Sequence, residues 1–428
     1  MASEQPFRNH GQIVILTHAP TPAKDATRVW LPGLEILRGI AALTVVFHHS
    51  WSLGTTPRFP GYWIVEGFGD WGVSLFFVLS GFLLADHFWS GDREGRLKRF
   101  YVRRLFRLLP AYYVNVAILF LFLATHQSVF SSSGLKQVLS NLTFTHFLRP
   151  ETSSNLNVNG ALWTLSIEAL LYMFMPLLAF LTRWTKGWAP IGMIAVGLAY
   201  RFYVARAGSS LQSLYFDAGF DNSTARLYLA RQFIGILPLF GIGIGLKWLT
   251  SQRGLRWPVG VRVAGPIAPW IVTLLLPSVL WLVFIERSSL YSHWVWFTGF
   301  DFILGLLFVP VILFAARPVA ASDHRVDKPF VWLGVRSFGL YLWHFPIILS
   351  VYGRGPLTAP PDVNPWAAKM LLILVLSLGA AALSWSSVEK PAQAIARRLT
   401  SRPSPLRHPV DPPVSHVSPG QERSFQVR

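Results

Sequence analysis

The sequence predicts an all-α, polytopic membrane protein with about ten transmembrane helices and both termini in the cytoplasm. The chain of 428 residues is 52% hydrophobic and only 14% charged, whereas soluble domains carry about 25% charged residues. Apolar runs long enough to cross a bilayer recur along almost the whole chain. Basic residues are concentrated in alternate loops, and this bias sets the orientation.

Ten apolar segments are predicted to span the membrane, at residues 34–52, 69–88, 108–125, 160–182, 188–205, 228–249, 266–286, 293–316, 331–352 and 366–389. The tails and loops on one side of this topology hold 26 of the 38 Lys and Arg residues, and the loops on the other side hold 7. Positive loops stay in the cytoplasm. The same bias accounts for most of the net charge of +18, so no nucleic-acid partner is expected.

Two polar extensions flank the predicted membrane domain of residues 31–395. Residues 1–30 lack the apolar core of a signal peptide and are predicted to be a cytoplasmic extension. Residues 396–428 are rich in Pro, Ser, Arg and His and are predicted to be a disordered cytoplasmic tail. The chain contains no cysteine, and no His or carboxylate motif has metal-ligand spacing, so no metal site is expected.

The first predicted span contains an arginine and two histidines. At 100° per residue, the helix turns through about 1100° from Arg38 to His49, so both side chains share one face, about 16 Å apart. His48 lies about 80° from that face. Charges buried in a bilayer are costly unless they are paired or hydrated, so the set indicates a functional site. For Arg38 alone, snorkelling to the interface remains open.

The fourth predicted span contains a second candidate group, Glu168, about 8–10 Å below its outer end. We expect His49, at similar depth, to be its partner, and Tyr172 shares the face of Glu168. In the second span, Asp70 and Ser74 are four residues apart and are expected to line a polar pocket, with close helix packing as the alternative.

A basic stripe precedes the third predicted span, because Arg99, Arg103 and Arg107 are spaced by four. Two interpretations remain open: anchoring to anionic lipid, and a phosphate-binding platform for a nucleotide-bearing cosubstrate, to which Arg104 would also contribute.

The ninth predicted span carries a polar seam of Ser337, Tyr341 and His344, followed by Pro346, which loosens a helix. A hydrogen-bonded structural role for His344 is the alternative to a functional one. Asp301 is a further buried acid without an assigned role. The segment 388–391 is interpreted as a capped helix end at the cytoplasmic interface.

Six motifs, in order, resemble the signature of the acyltransferase family 3 membrane proteins over about residues 30–395. They are the Arg38-(ten residues)-His49 spacing, Gly-Val-Ser-Leu-Phe-Phe-Val-Leu-Ser-Gly-Phe, Arg-Arg-Leu-Phe-Arg-Leu-Leu-Pro, Trp-Thr-Leu-Ser-Ile-Glu, Leu-Tyr-Leu-Trp-His-Phe-Pro and Val-Glu-Lys-Pro. A histidine and a glutamate at comparable depth also suit general-base catalysis on a hydroxyl.

The resemblance implies O-acylation of a carbohydrate, such as lipopolysaccharide O-antigen or exopolysaccharide, or of a glycosylated small molecule such as a macrolide. It implies acyl-CoA, most simply acetyl-CoA, as cosubstrate and no permanently bound cofactor, in the inner membrane of a bacterium. His49 would be the catalytic base, Glu168 its acidic partner and Arg38 a donor-side group. The expected substrate-binding residues are Arg103, Arg104, Arg107, Tyr172, His344, Tyr341 and Ser74.

The need for a partner protein remains open at this point, and so do two alternatives to an acyltransferase. No fused extracytoplasmic esterase-like domain is expected, so a separate extracytoplasmic partner is required only if transfer proceeds in two steps. Buried charges around a polar cavity also suit a proton-coupled transporter or flippase, which would consume no acyl-CoA. A catalytically idle scaffold is the third alternative, and the intact Arg38, His49 and Glu168 oppose it.

Overall fold

The computed structural model describes residues 31–53, 62–89, 95–123, 130–153, 159–215, 222–252, 294–316, 328–352 and 366–401. Within these ranges the chain is helical and contains no strand. The seventh predicted span, 266–286, lies outside the described residues.

The described α-helices are numbered here in chain order. They are α1 Pro32–Leu53, α2 Tyr62–Trp89, α3 Arg96–Ile118, α4 Ser132–Leu142, α5 Pro150–Ser153, α6 Trp163–Trp184, α7 Ala189–Tyr215, α8 Asn222–Ala230, α9 Phe233–Ser251, α10 Trp294–Ala315, α11 Lys328–Val335, α12 Ser337–Val351, α13 Trp366–Ser384 and α14 Lys390–Thr400. Two π-helical turns continue the chain, Leu119–Leu123 after α3 and Trp385–Glu389 between α13 and α14.

Six of the described helical segments are long and apolar enough to cross a membrane, which identifies an integral, multi-pass membrane protein. They are Gly67–Trp89, Arg96–Leu121, Gly160–Trp184, Phe233–Ser251, Trp294–Ala315 and Ala367–Thr400. The first and fifth predicted spans form the long helices α1 and α7 but are not among these six. The ninth predicted span, 331–352, is divided at Arg336 between α11 and the shorter apolar helix α12.

Several predicted boundaries differ from the observed ones. Helix α2 begins at Tyr62 instead of residue 69, α7 continues to Tyr215 instead of ending at residue 205, and the sixth span is divided between α8 and α9. The third span was expected to begin at residue 108, but α3 begins at Arg96, so the basic stripe lies on its first turns. Hydropathy misses this start because arginine is polar, although it is a good helix former. The chain also does not end its last helix at Glu389. It passes through a π turn, in which Glu389 is buried, and α14 continues to Thr400, beyond the boundary predicted at residue 395.

Helix α2 packs between α1 and α9 at the centre of the bundle. Where α2 crosses α9, a Cβ atom on Gly81 or Gly243 would clash with backbone atoms of the other helix. Small residues permit this close approach in membranes. A Cβ atom on Gly69 would likewise clash with the ring of His48 on α1, so glycines of α2 make room for both of its neighbours.

Helix α12 is continuous through Pro346, and the missing N–H of that proline leaves the carbonyl of Leu342 without its helical donor. Two buried amides replace it. The side chain of Asn115 on α3 donates to the Leu342 oxygen at 3.2 Å, and that of Asn159, just before α6, donates at 3.0 Å. These two hydrogen bonds therefore join α12 to α3 and to the segment before α6, at the level of the polar seam.

Replacing Asn115 by leucine keeps the side-chain volume and removes one donor to Leu342. We expect this variant to lose about 1 kcal/mol of stability, because a buried carbonyl loses part of its hydrogen bonding. In a Pro346→Ala background the loss should be smaller, since a backbone N–H at position 346 can donate instead. Thermal unfolding of both single variants and the double variant in detergent measures this coupling, and strictly additive losses would contradict it.

Candidate active site

Two cavities lie one beyond the other along α1. The first, about 340 Å³ in volume, is called here the arginine cavity, and its polar lining includes Glu35, Arg38, Ser80, Asp86, Arg104, Arg107, Thr164, Glu168, Tyr172, Ser337 and Tyr341. The second, about 140 Å³, is called the histidine cavity, and its lining includes His48, His49, Asp70, Ser74, Trp163, Arg201, Arg231, Trp296, Asp301 and Tyr341. Val73, Phe77 and Tyr341 line both and form the partition between them.

Three arginines face the arginine cavity from two helices. Arg38 on α1 pairs with Glu35 at 3.3 Å. Arg104 on α3 lies over the ring of Tyr172, with its guanidinium carbon 6.0 Å from the ring centre. Neither Arg104 nor Arg107 forms an ion pair or hydrogen bond with the residues that the structure describes. Two guanidinium groups that form no ion pair with the described residues are suited to bind an anionic ligand.

The other arginines of the predicted basic stripe do not share that position. Arg103 donates through Nε to the hydroxyl of Thr400 at 3.0 Å, which ties the first turns of α3 to the end of α14. Neither Arg99 nor Arg103 is among the residues that line the arginine cavity. Arg103 therefore packs against α14, whereas Arg104 and Arg107 on the same helix face the cavity.

Glu168 lies in the arginine cavity and accepts a hydrogen bond from the hydroxyl of Tyr172. The expected pairing of Glu168 with His49 is not formed: no hydrogen bond joins them among the described residues, and they line different cavities. Helix position predicts the depth of a residue but not which neighbouring helix its face meets. The i, i+4 relation of Glu168 and Tyr172, which depends on one helix only, is observed.

His49 pairs instead with His344 of α12. Its Nδ1 atom lies 2.8 Å from Nε2 of His344. The ring centroids are 5.1 Å apart and the ring planes differ by 17°, so the hydrogen bond runs along the line that joins two nearly coplanar rings. Phe345 packs edge-on against His49 at 5.2 Å. His344 is fully buried and lines neither cavity, in contrast to its expected contact with substrate.

His48 also lines the histidine cavity, with its ring centre 5.2 Å from that of His49. Among the described residues, His49 forms the hydrogen bond that leads to the buried seam of α12, and His48 forms none to that helix. Ser74 lines the same cavity and forms no hydrogen bond with the described residues, so its hydroxyl is available to a bound group.

The far wall of the histidine cavity combines charged and aromatic side chains. Arg231 stacks on the ring of Trp163 at 4.9 Å, and its guanidinium lies 3.8 Å from the carboxylate of Asp70. Arg201 is buried and pairs with Asp301 at 2.8 Å. This pair gives Asp301 a partner, and Arg201 also donates to the backbone oxygen of Phe297, which links α7 to α10.

Tyr341, in the partition, is held by a closed set of hydrogen bonds. Its hydroxyl donates to the backbone oxygen of Ala161 at 2.8 Å and accepts from the hydroxyl of Thr164 at 2.8 Å. Sequence reasoning missed Thr164, the two asparagines on Leu342, and Arg231. A signal existed for Arg231, an arginine inside the sixth apolar span, and for the asparagines, since Pro346 requires an external donor.

The sequence has relatives of known name. A family model described as an acyltransferase domain matches residues 31–386. A peptidoglycan O-acetyltransferase of Listeria monocytogenes is 28% identical over 389 residues, which cover 85% of this chain and 56% of that protein. Nodulation protein 10 of Rhizobium leguminosarum is 27% identical over 403 residues, which cover 86% of this chain and 95% of that protein. No solved structure is significantly similar to the chain.

These comparisons confirm the resemblance inferred from the six motifs. The chain spans only about half the length of the Listeria relative, so the activity of that whole protein does not transfer to it directly. The family model, in contrast, covers most of the chain and includes Arg38, both histidines, the basic turns of α3, Glu168 and His344. The chain belongs to the acyltransferase family 3 of integral membrane proteins.

Proposed function

We propose that this protein is a membrane O-acyltransferase that moves an acyl group, most simply acetyl, from acyl-CoA to a hydroxyl of a carbohydrate. The single observation that carries the proposal is the position of His49, in a cavity that shares the partition at Tyr341 with a second cavity, where Arg104 and Arg107 form no ion pair with the described residues. A base on one side and an anion-binding site on the other suit a donor and an acceptor that enter separately.

The arginine cavity is the proposed donor site. The phosphates of CoA would bind Arg104 and Arg107, which form no ion pair among the described residues. The pantetheine arm would then extend along α1 towards Tyr341, over a distance comparable to the rise of about 16 Å between Arg38 and His49. Arg38, Glu168 and Tyr172 would line its path. Arg103 is assigned to packing, because its guanidinium contacts Thr400.

The histidine cavity is the proposed acceptor site. Sugar rings present apolar C–H faces and a rim of hydroxyls, and this cavity offers the rings of Trp163 and Trp296 beside the polar groups of Asp70, Ser74 and Arg231. The Listeria relative is named for the O-acetylation of peptidoglycan, itself a glycan. A saccharide acceptor is therefore favoured over other hydroxyl compounds, and a glycosylated small molecule would offer the same chemistry.

The chemical step needs one base and no metal ion. Nε2 of His49 takes the proton of the acceptor hydroxyl as its oxygen attacks the thioester carbonyl. The tetrahedral intermediate then collapses, the C–S bond breaks, and the CoA thiolate takes the proton back from His49. The products are the O-acyl ester and CoA-SH, and the enzyme returns to its starting protonation state.

The defining experiment measures transfer from radiolabelled acetyl-CoA to a polysaccharide extract by the purified protein in liposomes. We expect His49→Ala to lower kcat by about 10²–10⁴-fold, the usual value of a general base. His48→Ala is the matched control, because it removes a neighbouring imidazole from the same cavity, and it should retain activity within about threefold.

Two outcomes of this assay would contradict the proposal. Equal loss in both histidine variants would remove the assignment of His49. Absence of transfer by the wild-type protein, together with proton flux that depends on a glycosylated substrate, would identify a transporter instead.

The proposal also includes an orientation: ten spans, with both termini and the arginine cavity on the cytoplasmic side of a bacterial plasma membrane. Arg103 and Thr400 are in contact, so the beginning of α3 and the end of α14 lie on the same side of the protein. Further along α3, Tyr113 donates to the backbone oxygen of Leu142 at the end of α4. Helix α4 belongs to the loop expected outside the cell.

The absence of cysteine makes this topology directly testable with single-cysteine variants. Lys136→Cys on α4 should react with a membrane-impermeant maleimide in intact cells, because its side chain is exposed on the outer loop. Ser401→Cys, after α14, should react only when the cells are permeabilised. Labelling of Ser401→Cys in intact cells would show the opposite orientation and would place the arginine cavity away from cytoplasmic acyl-CoA.

A further inference from the structure

Outside the two cavities, the most informative cluster is the hydrogen-bonded chain that runs from His49 into α12. His344 Nδ1 lies 2.8 Å from the backbone oxygen of Tyr341 and 3.3 Å from that of Leu340. Its other nitrogen, Nε2, faces His49 Nδ1. No other side chain forms a hydrogen bond with His344 among the residues that the structure describes.

These contacts assign the protons on both rings. A backbone oxygen can only accept a hydrogen bond, so Nδ1 of His344 carries a proton. His344 is fully buried without a carboxylate partner among the described residues, so it is neutral and its Nε2 is unprotonated. Nε2 of His344 is then an acceptor, and Nδ1 of His49 is the donor. In neutral His49 the lone pair therefore resides on Nε2.

We propose that His344 is a positioning residue, which holds His49 in the Nδ1–H tautomer and keeps Nε2 available as the base. This inference rests on the proposed function only for the reaction that Nε2 performs. It reassigns His344 from substrate binding, because the side chain lines neither cavity. The segment that carries His344 is itself fixed by the amides of Asn115 and Asn159 on the Leu342 oxygen.

Because His344 is neutral, it affects the proton transfer by His49 differently from a carboxylate. In hydrolases of the Ser-His-Asp type, a carboxylate orients the histidine and stabilises its charged form. Here the partner fixes the orientation with a dipole and carries no charge. The imidazolium formed when His49 takes a proton is then less stabilised, and it returns that proton readily to the CoA thiolate.

Two substitutions of similar polarity separate this role from simple packing. The side-chain amide of glutamine reaches the place of Nε2, whereas that of asparagine reaches the place of Nδ1. His344→Asn should therefore lower kcat by about 10²–10⁴-fold, with KM for acetyl-CoA and for the polysaccharide within about threefold, because the base is misoriented and not the substrates.

His344→Gln restores an acceptor for His49 Nδ1, so its kcat should be at least about tenfold higher than that of His344→Asn. Thermal unfolding confirms that both variants are folded. Equal kcat in the two variants, or a loss that falls on KM instead of kcat, would overturn the positioning role.

The tautomer itself is measured without turnover, so its outcome is independent of the proposed reaction. The 15N spectrum of histidine-labelled protein in liposomes distinguishes a protonated ring nitrogen from an unprotonated one, and the signals of His49 are those lost in His49→Ala. We expect Nδ1–H and an unprotonated Nε2 near neutral pH. A His49 with its proton on Nε2 would overturn the proposal, whereas failure of acyl transfer in the wild type would overturn only the proposed function.

Discussion

The hydrogen bond between His49 and His344 joins α1 to α12, and the site depends on it. An apolar interior leaves no water to orient an imidazole, so each ring nitrogen must find a protein partner or face a cavity. The carbonyls of α12 supply one end of the chain and the histidine cavity the other. Because Pro346 has no N–H, the side chains of Asn115 and Asn159 donate to the free carbonyl of α12 instead. These two hydrogen bonds hold α12 in place close to His344.

Separation of charge between two cavities is the second organising feature. Arg104 and Arg107 face one cavity without carboxylate partners among the described residues, whereas the charged groups of the other are largely paired, Arg201 with Asp301 and Arg231 near Asp70. Unpaired cations suit a phosphorylated donor, and paired charges beside tryptophans suit a neutral, hydroxyl-rich acceptor. The partition of Val73, Phe77 and Tyr341 is where the two would meet.

The spacing of residues along one helix predicts more of this site than their depth in the membrane does. The shared face of Arg38 and His49, and the pairing of Glu168 with Tyr172, follow from the geometry of a single helix. The pairing of His49 with Glu168 was expected from their similar depth and from the family resemblance. It is not formed, because depth does not say how helices are arranged around the bundle. The motif order identified the family, while the partner of His49 required the packing of α1 against α12. The sequence shows that Pro346 leaves the carbonyl of Leu342 without a helical donor, but the structure is needed to identify the donors as Asn115 and Asn159.

We propose that an acyl donor enters by the arginine cavity and presents its acyl group to His49. The most direct measurement is an electron cryomicroscopy structure of the protein with a non-transferable thioether analogue of acetyl-CoA. We predict phosphate density at Arg104 and Arg107, with the pantetheine arm running along α1 to the partition at Tyr341. Saturable binding of the analogue at any other face, or an arm that points away from the partition, would contradict this donor site.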